Sequence, residues 1–189
     1  LAKEAKAISP LPMYTNAWLS PAAGGRPGRD YPAGGPVPEV LPLFRQHVQD
    51  LDLVAPDLYR HGYRDFHTLC EIYTADANPL YIAEHSSSPA GRSERNVFYA
   101  IGTHGAIGFD PWAIDAVCPD RHEKPFVDPI GKEWGPHAFQ LRDSYVSIGR
   151  AITPIVEAQG TDRLFTFVQE AEETGTAWHA DGVDILISF

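Results

Sequence analysis

The feature that most restricts what this chain can fold into is an alternation between Met13 and Phe109, in which short apolar β runs are separated by stretches with helical spacing. Met13-Tyr-Thr-Asn-Ala-Trp-Leu19 reads as a strand and is followed by a Gly/Pro-rich loop from Ser20 to Pro38. Glu39 to Val48 then places Val40, Leu43, Phe44 and Val48 at helical spacing. Leu51 to Tyr59 reads as a strand and Tyr63 to Tyr73 as a helix. Leu80 to Ala83 is a strand again, Ser93 to Thr103 a helix with Val97, Phe98 and Ile101 on one side, and Ala106 to Phe109 a further strand. Strands alternating with helices imply a parallel sheet joined by right-handed crossovers. Four such strands amount to half of an eight-stranded (β/α) barrel.

Within that pattern, Pro79-Leu-Tyr-Ile-Ala-Glu-His85 ends in a carboxylate and then breaks into the polar loop Ser86-Ser-Ser-Pro-Ala-Gly91. A (β/α) barrel keeps its chemistry at the C-terminal tips of its strands, so Glu84 is the first candidate for a catalytic residue.

The rest of the chain changes character. Val117 to Trp134 carries Pro119, Pro125 and Pro129 without a clear period and reads as a long loop. His137 to Ala158 reads as a helix that Pro154 kinks or breaks. Leu164 to Val168 and Val183 to Phe189 are β-rich and are separated by the polar stretch Glu170 to Gly175. In the second, Val183, Ile185, Ile187 and Phe189 alternate as in a half-buried strand. The expected organisation is a half-barrel domain over residues 1–160 and the start of a β-type domain over residues 161–189 that the chain does not complete.

Composition narrows the partners. With 189 residues, of which 43% are hydrophobic, the chain can bury a core of ordinary size. A net charge of −10 argues against nucleic acid and against an anionic membrane surface, so a neutral substrate is the easier fit. No apolar run approaches the roughly 18 residues needed to span a bilayer. Cys70 and Cys118 have neither metal-ligand spacing nor disulfide-scaffold density and read as buried or half-buried thiols. The eight histidines do not form a helical metal pair: His61 and His67 lie six apart, and His104, His122 and His137 are scattered. His85 is expected on the opposite side from Glu84, as a loop histidine near the rim. The glycines Gly24, Gly25, Gly28, Gly34 and Gly35 sit in a proline-containing loop rather than between a strand and a helix, so no phosphate cradle and no nucleotide cofactor are expected.

Five phrases carry a family resemblance: Pro12-Met-Tyr-Thr-Asn-Ala-Trp-Leu19, Gly34-Gly-Pro-Val-Pro-Glu39, Asp52-Leu-Val-Ala-Pro-Asp-Leu-Tyr59, Asn78-Pro-Leu-Tyr-Ile-Ala-Glu84 and Gly105-Ala-Ile-Gly-Phe-Asp-Pro-Trp-Ala-Ile114. In order and spacing, from Met13 to Ile114, they resemble the second half of a bacterial β-galactosidase of glycoside hydrolase family 35 or its family 42 relatives. The resemblance implies an α/β fold, a partial (β/α)8 TIM barrel covering about strands five to eight. It also implies a retaining glycosidase whose nucleophile ends strand seven, the position that Glu84 takes.

Retaining hydrolysis needs a second carboxyl group about 5–5.5 Å from the nucleophile, to protonate the leaving oxygen and then to activate water. In such families this is a glutamate ending strand four, and the chain is expected to lack it. Glu4 belongs instead to a helix preceding Met13, as Ala2, Ala5 and Ala7 suggest.

Other strand-end residues take provisional roles. Tyr59 either orients Glu84 through its hydroxyl or caps the rim. Trp112 either stacks on a sugar face or packs beneath its loop. Asn16 and Trp18 are candidates to contact sugar hydroxyls or the ring, and Asp110 is a further binding candidate. Asp57 and Asp110 both adjoin proline, which turn formation explains. A minor reading makes either one the partner of Glu84 at the inverting separation of about 6.5–9.5 Å. Arg92 and Arg95 read as a solvated face. The expected partner is a galactoside or related glycan, together with the N-terminal half of the barrel or a second copy of the chain. The alternative is a non-catalytic carbohydrate-binding or assembly module built on Trp18, Tyr59 and Trp112.

Overall fold

A computed structural model describes residues 1–20, 25–32, 35–86, 92–112, 114, 135–169, 175–180 and 182–188. A short helix α1 (Ala2–Ile8) precedes β1 (Tyr14–Trp18), and α2 (Leu41–His47) leads to β2 (Leu53–Asp57). Then come α3 (Tyr63–Thr74), β3 (Tyr81–His85), α4 (Ser93–His104) and β4 (Gly108–Pro111). A long helix α5 (Gly135–Ala158) and the strands β5 (Gly175–Ala180) and β6 (Val183–Ser188) complete the elements. The first four strands form one sheet in the order β1-β2-β3-β4, every pair parallel.

The crossover helix α3 is held by a narrow apolar stripe, whereas α2 buries only Leu41. In α3, Phe66, Cys70 and Tyr73 recur at i, i+4 and i+7 and are fully buried. They join Val54 and Leu58 of the β2 segment, Ile82 of β3 and Val97 of α4 in one core. Each large side chain buried in this way is worth roughly 1.5–3 kcal/mol. The helix ends where Asp76 and Ala77 take positive φ, a turn that Arg45 of α2 secures through an ion pair to Asp76 at 2.8 Å.

Asn78 then joins β3 to β2. Its amide donates to the carbonyl of Val54 at 3.0 Å, and its side-chain oxygen accepts from the Val54 N–H at 2.9 Å. The side chain thus supplies the pairing that a neighbouring strand would supply. The loop before α2 folds back on the sheet, and Gly35 lies so close to Ala17 that an added Cβ would stand 3.0 Å from the Ala17 Cβ.

The β3–β4 pairing carries an irregularity. Ile82 pairs with Phe109 and His85 with Pro111, so two residues of β3 oppose the single Asp110 of β4. Such a bulge returns His85 to the side of Ile82, and both are fully buried. His85 is therefore no rim histidine. It lies opposite Glu84, against Phe66 and Phe109, and its ring is hydrogen-bonded by Ser93 and Asn96 of α4.

Several expectations need correction. In α2 it is Leu41 that enters the core, while Leu43 is exposed; the helix starts later than its hydrophobic pattern implies. In α4, Val97 is buried but Phe98 is exposed. Arg95 is half-buried and donates to the carbonyl of His61 at 3.3 Å, so it is not a solvated arginine. Pro154 does not break α5, which runs on to Ala158.

Leu164 to Val168 is not a strand. Without strand pairing among the described residues, the segment lies against α4 and α5, where Leu164 and Phe167 line a cavity with Ile101, Ile148 and Ile155. The second sheet is instead an antiparallel hairpin of β5 and β6. Val183 and Ile185 of β6 are exposed rather than half-buried. Phe165 connects the two regions by stacking on Trp178 at 5.3 Å. Cys118, His122 and the whole of the expected loop from Val117 to Trp134 lie outside the described residues. No helix among the described residues is long and apolar enough to cross a membrane.

Candidate functional site

The parallel sheet brings its polar residues to one end. In β1 the side chains alternate: Ala17 faces the core, whereas Asn16 and Trp18 are exposed. Trp18 pairs with Asp57 of β2, and Asp57 pairs with Glu84 of β3. Three adjacent strands therefore end at the same level in Trp18, Asp57 and Glu84.

Their contacts are specific. The Tyr59 hydroxyl donates to Glu84 Oε2 at 2.9 Å. The Trp18 ring stacks on the Tyr59 ring with centroids 5.9 Å apart and planes at 29°. Asn16 Nδ2 donates to Asp57 Oδ1 at 2.9 Å and to Asp57 Oδ2 at 3.1 Å. The Leu58 N–H donates to the Glu84 carbonyl at 2.7 Å, which continues the β2–β3 pairing past Asp57 and sets Tyr59 beside Glu84.

Burial raises the pKa of the Tyr59 phenol, and the hydrogen bond to Glu84 and the charges of Glu84 and Asp57 raise it further. The phenol remains a donor throughout the ordinary pH range. Burial also lifts the Asp57 carboxyl above its usual value; the Asn16 amide opposes this and the Glu84 charge adds to it. The assembly is two neighbouring carboxyl groups, a locked phenol and an indole about half open to solvent (49%) at the mouth of a parallel sheet.

Of the residues anticipated from sequence, Asn16, Trp18, Tyr59 and Glu84 come together. No hydrogen bond or ring contact joins Asp110 or Trp112 to them. Asp110, on β4, accepts a hydrogen bond from the Tyr81 hydroxyl, and Tyr81 also meets the Tyr14 ring edge-on. Trp112 is 61% exposed just beyond β4, its backbone N–H bonded to the His85 carbonyl at 2.8 Å.

Asp57 is not a turn residue but the last residue of β2, and it is buried. The signal was present in the period-two pattern: Asp57 and Tyr59 share a strand face, and Val54 and Leu58 occupy the other. A second polar cluster was not anticipated at all. Across α3 and α4, His67 Nδ1 and His104 Nε2 meet at 3.0 Å, and the Tyr99 hydroxyl lies 2.8 Å from the same His67 nitrogen. Among the described residues, no three His, Cys, Asp or Glu side chains group so as to hold a metal ion.

The fold and site define a mixed α/β protein with an acidic, aromatic-flanked site at the C-terminal edge of a parallel sheet. No protein-family profile matches the chain, and no curated protein is found to be similar to it.

Proposed function

We propose that the chain carries the nucleophile side of a retaining, β-galactosidase-like glycoside hydrolase and that its four parallel strands are about strands five to eight of a (β/α)8 barrel. Glu84 is the nucleophile, Tyr59 orients it, and Trp18 offers an aromatic face to the sugar. Asn16 binds substrate, and Asp110 and Trp112 extend the rim. The general acid is a carboxyl group from outside these four strands.

The observation that carries this reading is the Tyr59–Glu84 hydrogen bond at 2.9 Å, at the C-terminal tips of neighbouring parallel strands. A carboxylate used as a nucleophile must present one oxygen to the anomeric carbon while the other is held still. The phenol holds Oε2 and leaves Oε1 to attack. The barrel assignment is supported by the monotonic strand order, because right-handed crossovers between successive neighbours put every helix on the same face. The other face then becomes the barrel interior, with the chemistry at its C-terminal end.

A 2-deoxy-2-fluoro galactoside with a dinitrophenolate leaving group tests the nucleophile alone, because such a leaving group departs without protonation. The expected result is a covalent adduct on the peptide containing Glu84, seen by mass spectrometry and absent from the Glu84→Gln variant. Sugar binding without any adduct would favour the non-catalytic carbohydrate-binding reading, whereas an adduct on another carboxylate would reassign the nucleophile.

A further inference from the structure

Asp57 takes no part in the chemistry just set out, yet it is the one buried acid among the described residues. Withdrawing a carboxyl group from water is costly unless hydrogen bonds compensate. Among the described residues the compensation comes from a single side chain, since both Asp57 oxygens accept from Asn16 Nδ2.

That contact removes an ambiguity that an exposed asparagine otherwise keeps. A carboxylate can only accept hydrogen bonds, so the amide must turn its NH2 group toward Asp57. Its carbonyl oxygen, about 120° round the amide plane, is directed elsewhere, and no donor among the described residues reaches it. Asn16 shares a strand face with Trp18, and Asp57 shares one with Tyr59. The Trp18–Tyr59 stack shows that both pairs lie on the same side of the sheet, which is also the side where Tyr59 reaches Glu84.

We propose that Asp57 is a positioning residue, which locks the Asn16 amide in one orientation so that its carbonyl oxygen stands beside Trp18, Tyr59 and Glu84 as an acceptor for one ligand hydroxyl. The identity of the ligand as a sugar rests on the glycosidase reading; the orientation of the amide does not. The lock makes the position selective. The Asn16 carbonyl oxygen accepts from a neutral hydroxyl, and the charge of Asp57 behind it disfavours a carboxylate or phosphate.

Asp57→Asn is the informative variant. Its amide is nearly isosteric and can either accept from Asn16 or donate to it, so both orientations of Asn16 become available. In the 15N-labelled wild-type chain, the Asn16 side-chain amide protons are expected to exchange with water about tenfold more slowly than in Asp57→Asn. In a calorimetric series of methyl β-galactoside and its monodeoxy analogues, one deoxy analogue is expected to bind wild type about tenfold more weakly than the parent sugar. Asp57→Asn is expected to bind the two alike. Asn16→Ala, at an exposed position, is expected to lose the same discrimination and guards against a folding defect in the first variant.

Equal amide exchange in wild type and Asp57→Asn would overturn the proposal, and so would deoxy discrimination that survives in both variants. A slowly exchanging amide in a chain that binds none of these sugars would uphold the orientation and overturn the glycoside reading.

Discussion

At the scale of single residues, the hydrogen bond from Tyr59 to Glu84 and the buried ring of His85 act on opposite faces of the same sheet. A hydrogen bond to a charged acceptor is worth about 1.5–3 kcal/mol, so Tyr59→Phe should slow labelling of Glu84 by the fluoro-sugar about tenfold or more. Because the Trp18–Tyr59 stack survives in that variant, sugar affinity should change far less than rate, and parallel calorimetry separates the two effects. His85 governs stability rather than chemistry. Burial holds its pKa down at about 3 against an ordinary 6.5, and the same cause brings His104 to about 4. Between those values the unfolded chain binds more protons than the folded one, so stability is full above about pH 6.5 and falls as pH drops through the window. Asp57 has the opposite sign: its carboxyl is raised, so the folded state holds its proton more tightly and its burial costs stability at neutral pH. Thermal midpoints measured from about pH 7 to about pH 4 should therefore fall in wild type, and fall less steeply in His85→Gln whatever its starting midpoint. Asp57→Asn should melt higher than wild type at neutral pH.

Among the elements, the alternation of strands and helices was legible because buried parallel strands and amphipathic crossover helices differ in period. The bounds of α3, β3 and α4 follow that pattern closely. Leu164 to Val168 shows where it stops being informative. An apolar, β-prone run becomes a strand only if another strand is free to pair with it, and here the nearest surface is the α4–α5 helix pair. Gly102 is what lets the run lie there: a Cβ at that position would stand 1.8 Å from Thr166 Oγ1. Gly102→Val should overpack the contact and lower stability by about 1–3 kcal/mol in chemical denaturation. Adding Thr166→Ala should recover part of that loss, since the two positions are in direct contact. The β3 bulge also escaped the sequence, because strict alternation from Ile82 would have placed His85 on the other face.

For the whole molecule, the consequence of four strands in one open sheet lies at its edges. Among the described residues neither β1 nor β4 has a second neighbour, and apolar side chains are exposed near both, with Leu11, Tyr14 and Trp18 at one end and Ile107 and Trp112 at the other. Unpaired parallel edges of this kind invite another chain. Light scattering should give an average mass that rises with concentration above the 20.8 kDa of one chain. A constant 20.8 kDa would mean that these edges are covered within a single chain.

By itself the sequence determined the parallel α/β pattern, the strand tip at which Glu84 stands, and Asn16, Trp18 and Tyr59 as its companions, because period and turn chemistry are local properties. Only the tertiary structure decided which of these residues meet. Asp57 and Glu84 are 27 positions apart in the chain, and strand register makes them neighbours. Register sets Asn16 opposite Ala55, from where its side chain reaches Asp57 two residues along the same face, whereas Asp110 is held by Tyr81 and Trp112 stands exposed beyond β4. Local sequence sets the face on which a side chain lies, and the alignment of one strand against the next, fixed by long-range packing, sets what it touches.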